Sequence, residues 1–110
     1  MAARLRSDLQ VSALQRQVEA EGLFFAVLAR GHEEGGLIYI KWVEGRSAQI
    51  FTEETVDDAR RWVRRGADDM AEGEANLFLD GERSFDPDLW VVEVSGPFAA
   101  AQRLLDPATP

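Results

Sequence analysis

Arg83-Ser84-Phe85-Asp86-Pro87-Asp88-Leu89-Trp90-Val91-Val92-Glu93-Val94 is the stretch whose reading decides the fold. Pro87 has no N–H to donate and disfavours the helical region for Asp86, so a helix arriving from upstream must stop there. Proline suits the second position of a turn, and the carboxylates of Asp86 and Asp88 can accept from nearby backbone N–H groups. Beyond the turn, Trp90, Val92 and Val94 alternate with Leu89, Val91 and Glu93. Both faces are then apolar except at Glu93, the pattern of a strand inside a sheet rather than at its edge. A carboxylate on such a strand needs a cationic partner, for which an arginine is expected, or contact with water.

Working outward, Ser7 followed three residues later by Gln10 has the form of a capping box. Leu9, Val11, Ala13, Leu14 and Val18 recur at helical spacing, and Gly22 supplies a stop, so a helix is predicted over Ser7–Glu21. The apolar run Leu23–Ala29 and the run Gly36–Val43 are joined by the polar link Arg30–Gly35, which predicts an antiparallel hairpin. Glu44-Gly45 predicts a two-residue turn into a third strand over Arg46–Phe51, giving a meander. Residues 53–74 are ambiguous. Thr55 with Asp58 resembles a helix cap and Asp57 with Arg61 has helical spacing, whereas Arg60–Arg65 alternates acceptably as a strand. Pro97 is well placed at the start of a short helical piece, Phe98–Leu105, and residues 106–110 are expected to fray.

Arg83–Val94, with Phe-Asp-Pro-Asp-Leu-Trp-Val-Val-Glu at its centre, resembles the C-terminal signature of the bacterial domain-of-unknown-function 1491 family. Three earlier pieces agree: Arg4-Leu5-Arg6-Ser7 with Val11-Ser12-Ala13-Leu14, then Ala26–Gly31, then Gly36–Lys41. The resemblance runs over nearly the whole chain except its C-terminal tail. Gln10 stands where the family often has an aromatic residue, and His32 where Arg-Gly is usually followed by Asp. The resemblance implies a strand around Trp62 and a helix over Ala71–Phe85, where Gly73, Gly81 and Asp80-Gly81 leave local propensity undecided. No activity comes with it. The expected fold is α+β: a mainly antiparallel sheet of four to five strands with two helices packed on one face, in the order α-β-β-β-(β)-α-β, as a single domain over 1–105.

The composition excludes more than it asserts. With 110 residues the chain has room for one core. It has no cysteine, which removes disulfides, thiol nucleophiles and cysteine metal sites and accords with a reducing cytoplasm. No apolar run reaches the roughly 18 residues of a membrane span, and no secretory signal follows Met1. A net charge of −8 opposes general binding to nucleic acid or anionic membranes.

The chemistry-bearing residues are few. His32 is the only histidine and with no cysteine cannot build a typical structural zinc site, so neither a metal nor another cofactor is expected. The paired carboxylates Glu33/Glu34, Glu53/Glu54, Asp57/Asp58, Asp68/Asp69 and Asp86/Asp88 read as a group as solvated surface, since adjacent residues on a strand point to opposite faces and adjacency alone makes no shared site. Arg60, Arg61, Arg64 and Arg65 surround Trp62 but are flanked on both sides by acids. The reading is a small non-catalytic binding or assembly module, with a second copy or another protein as partner. Its candidate binding residues are Trp62, Arg61, Arg64, Arg83 and Glu93. The alternative is a metal-dependent hydrolase or nuclease using Asp86, Asp88 and Glu93, with Arg83 as an anion clamp. Glu93-Val94-Ser95 lacks the lysine two residues beyond the carboxylate that nuclease cores commonly use.

Overall fold

The computed structural model describes residues 5–108. Eight elements follow one another: α1 (Ser7–Ala20), β1 (Phe24–Ala29), β2 (Ile38–Glu44), β3 (Ser47–Val56), β4 (Ala59–Ala71), α2 (Glu72–Phe85), β5 (Trp90–Ser95) and α3 (Phe98–Leu105). The strands form one sheet in the order β1-β5-β2-β3-β4. The fold is α+β, and the Asp-Pro corner behaves as its residues dictate. Asp86 Oδ1 accepts from the Asp88 N–H at 3.0 Å, and the chain leaves directly into β5, whose Trp90, Val92 and Val94 are buried.

Three expectations about arrangement are corrected. The hairpin between β1 and β2 does not form: β5 lies between them, antiparallel to β1 and parallel to β2, so the sheet is mixed. The cause is the apolar character of β5 on both faces, which rewards a central position over an edge. The two long helices do not share a face, and the helical piece expected at Phe98–Leu105 forms as α3, a third helix that the expected element order did not count. Val11, Leu14 and Val18 of α1 join Ala100, Ala101 and Leu105 of α3 over Ile40, Trp42, Phe51, Trp90 and Val92. Ala75 and Leu79 of α2 cover Tyr39, Ala48, Ile50, Met70 and Val91 on the opposite face. A sheet with apolar residues on both faces must be covered twice. Lastly, Ser7 is no helix cap: it is fully buried, and its Oγ donates to the Gly36 carbonyl at 2.6 Å, tying α1 to the loop before β2.

Local chemistry explains the remaining connections. The β2–β3 turn falls one residue later than expected, with Glu44 opposite Ser47 and Gly45 at φ 62°. Asp57 and Asp58, both at positive φ (51° and 64°), form the two-residue turn from β3 into β4. Aspartate tolerates that conformation, and the strand twist favours such a turn. The ambiguous segment therefore holds the end of β3, this turn, the long strand β4 and the first turn of α2. Residues 106–108, expected to fray, lie along β4: the Ala108 N–H donates to the Trp62 carbonyl at 2.9 Å, and Arg61 donates to the Asp106 carbonyl at 3.1 Å. Residues 109–110 lie outside the described residues, as does most of the N-terminal stretch preceding Arg6.

The loop from Arg30 to Leu37 wraps the entry of β5. His32 N–H donates to the Asp88 carbonyl at 2.9 Å, and Trp90 N–H to the Leu37 carbonyl at 2.8 Å. A Cβ on Gly31 would run into the backbone of Asp88 and Leu89, and one on Gly36 into the Asp88 carbonyl. Neither obstacle can rotate away. Gly31→Ala is therefore expected to cost about 1–3 kcal/mol, as overpacking does, while Gly35→Ala, which meets nothing, should leave the urea midpoint nearly unchanged. Equal midpoints for the two variants would remove the close approach from the account.

Candidate functional site

The face of the sheet that carries α2 is only partly covered. The helix packs mainly over β3 and β4 and reaches β5 at Val91, and the β1 flank of that face, where Phe24 and Leu28 are exposed, is left open. There a cleft of about 300 Å³ is lined by Leu28, Ala29, Asn76, Leu79, Asp80, Arg83 and Val91. Asn76, Asp80 and Arg83 stand at i, i+4 and i+7 along α2, the spacing that aligns side chains on one helix face. Leu79 and Val91 give the floor its apolar character. Leu28 forms the outer lip: β1 shifts register between Val27 and Ala29, and the residue inserted there remains 52% exposed. Neither Asp80 nor Arg83 makes an ion pair among the described residues. The cleft thus offers an apolar floor with one cation, one carboxylate and one amide along its helical wall.

Glu93 lies on the same face, further along β5. Its expected arginine partner is replaced by Lys41, which stands directly opposite it in the parallel β2–β5 register. Lys41 Nζ lies 3.1 Å from Glu93 Oε1 and 2.7 Å from Glu72 Oε2, at the first residue of α2. The lysine is 3% exposed. Burial alone would lower its pKa, but hydrogen bonds to Glu72 and Glu93 and the charge of both carboxylates override that, and the net shift is upward. Lys41 is thus held charged. Sequence reasoning missed this residue. The available signal was a sole lysine in the middle of an apolar strand, Ile38-Tyr39-Ile40-Lys41-Trp42-Val43, where a buried charge requires pairing.

The five candidate binding residues are dispersed. Arg83 lines the cleft, and Glu93 sits in the Lys41 triad. Trp62 is on β4, at the far edge of the sheet, half-buried against the cluster beneath α1 and α3. Arg61 bonds to the Asp106 carbonyl, and Arg64 pairs with Asp68 at 2.7 Å. Asp86 and Asp88 occupy the corner before β5, with Asp88 roughly 17 Å of extended chain from Glu93 and Asp86 beyond it. Among the described residues no group of three or more His, Asp or Glu side chains is placed to hold a metal ion. His32 Nδ1 faces the N–H groups of Glu34 and Gly35 in its own loop, at 3.2 and 3.3 Å.

Comparison with known proteins gives a family and no activity. A crystal structure of a DUF1491 family protein from Caulobacter crescentus CB15 is similar at a TM-score of 0.78 and 31% identity, over 84% of this chain and 89% of that one. A solution structure of a protein from A. tumefaciens is similar at a TM-score of 0.76 and 32% identity, over 86% and 88%. An NMR structure of a DUF1491 family protein from Caulobacter crescentus CB15 gives 0.73 and 31%, over 84% and 86%. No curated protein matches the chain. The model of the protein of unknown function family DUF1491 matches residues 5–105, and the chain belongs to that family.

Proposed function

We propose that this protein is a non-catalytic cytoplasmic binding module whose site is the cleft between α2 and the β1–β5 flank of the sheet. The observation that carries the reading is Arg83, a cation without an ion-pair partner among the described residues, standing above an apolar floor of Leu79, Ala29 and Val91. Such a site takes a small ligand with an apolar body and one carboxylate or phosphate group, and Asp80 and Asn76 accept whatever donors flank that anion. A volume of about 300 Å³ is at the small end of ligand-pocket size and suits a compact metabolite.

The test is a melting-temperature screen with small aromatic and aliphatic carboxylates and their phosphate counterparts. A ligand present at about 100 times its Kd adds roughly 2.7 kcal/mol, or about 10 °C for a domain of this size. Arg83→Ala should abolish the shift while leaving the unliganded melting point in place, because Arg83 is exposed. A panel without any shift, or an equal shift in Arg83→Ala, would overturn the reading.

A further inference from the structure

The two edges of the sheet are finished differently. The β4 edge carries Arg60, Arg61, Arg64 and Arg65, and residues 106–108 bond along it. Charges and a covering segment are the usual protection of an edge strand. The β1 edge has neither. Its six residues, Phe-Phe-Ala-Val-Leu-Ala, contain no charge and no proline, and Phe24, Val27 and Leu28 are 56%, 40% and 52% exposed. Its backbone pairs with β5 on one side, and among the described residues no other element bonds to its outer side. An uncharged, uncovered apolar edge, interrupted only by the bulge at Leu28, is a template for another strand.

We propose that this edge takes the β1 strand of a second copy of the chain, in antiparallel pairing about a two-fold axis through Ala26. Charge points to a like copy. Glu21, already paired with Arg103 of its own chain, precedes β1 and Arg30 follows it, so antiparallel pairing sets each Arg30 beside the partner's Glu21 end as a second cation and brings no like charges together within the strands. Arg30 lies over the Trp90 ring at 4.9 Å and has no ion pair among the described residues. The axis also brings Phe24 to the bulge around the partner's Leu28, and Leu28 to the partner's Phe24. Leu28 is the outer lip of the cleft, so the partner's Phe24 closes the mouth that one copy leaves open. This last clause rests on the cleft reading; the pairing itself does not. Two chains of charge −8 repel at long range, so association strengthens with salt.

The chain has no cysteine, which makes the axis directly testable. Light scattering on the intact protein across a concentration series is expected to give twice the mass of one chain, more completely at physiological than at low ionic strength. Phe24→Lys, at an exposed site, should return it to the monomer with its melting point retained. Ala26→Cys should be joined into a dimer by a short bis-maleimide, and Leu77→Cys, on the exposed side of α2 at 74% exposure, should not. A monomer at every concentration would overturn the proposal. A dimer indifferent to Phe24→Lys, or equal cross-linking of the two cysteine variants, would do so as well. These measurements need no ligand, so their failure and that of the ligand screen are separate results.

Discussion

Trp90→Ala should lower the stability of this protein by about 3–5 kcal/mol, the range for removing a buried large aromatic side chain. For a domain whose total stability is roughly 5–15 kcal/mol, that brings it close to unfolding at ambient temperature. Three contributions are lost together. The ring is 1% exposed at the first position of β5, packed in the cluster under α1 and α3. Its Nε1 donates to the His32 carbonyl at 2.8 Å, and its outer side carries the Arg30 guanidinium. Trp90 therefore fastens the Arg30–Leu37 loop to the sheet as well as filling the core. Trp90→Phe separates the two roles: it keeps most of the apolar volume and loses the hydrogen bond, at a cost of about 1–2 kcal/mol. Trp62→Ala provides the contrast, since that ring is only half-buried at the far edge and should cost less than either core tryptophan. Urea unfolding of the three variants checks the order. A Trp90→Ala midpoint within 1 kcal/mol of the parent would show that β5 does not hold the core together.

The interior position of Trp90 is legible in the sequence, because it depends on a local pattern. Six residues apolar on both faces except at Glu93, entered through Asp-Pro-Asp, admit few positions other than the middle of a sheet. The neighbour of β5 was not legible. Whether β1 pairs with β2 across a short link or admits β5 between them depends on contacts some sixty residues apart in sequence, for which periodicity has no signal. The same gap explains the helices: α1 shows an apolar stripe and α2 was implied by the resemblance alone, and neither signal says which face of the sheet a helix meets. Asp57-Asp58 left its segment open between helix and strand for a different reason. Aspartate is common both in the first turn of a helix and in left-handed turn positions, so the same two letters support opposite structures. At the site, Arg83 could be singled out as a clamp from sequence, whereas Glu93 could be given only a need. Its partner was Lys41, which becomes a neighbour of Glu93 only once β2 and β5 run parallel.

Lys41→Met should cost about 3 kcal/mol, since removing one member of a buried ion pair leaves the other charge without compensation. Glu93 bears most of that cost, its side chain being 20% exposed, whereas Glu72 at 43% can turn toward water. Glu72→Gln alone is accordingly expected to cost less than Glu93→Gln. The double variant Lys41→Met/Glu93→Leu should recover most of the loss, because apolar replacement of a buried pair is often neutral or better. The pH dependence has a definite sign. Lys41 is shifted upward from its ordinary 10.5, so its contribution is complete below that value and is lost as pH rises through the folded-state value. Tyr39 is raised from 10.0, by burial first and by Glu82 next, and it weakens the fold in the same direction. Stability should therefore fall above about pH 10, and Lys41→Met should show a shallower fall, retaining only the tyrosine component. An alkaline limb as steep in Lys41→Met as in the parent would sink the assignment. The triad also bears on binding. Lys41 holds the first residue of α2 to β2 and β5, while the Asp86–Asp88 corner holds its other end. The distance between α2 and the sheet, which sets the width of the Arg83 cleft, is fixed at both ends of the helix. Lys41→Met should consequently weaken any ligand that Arg83 holds, although Lys41 does not line the cleft.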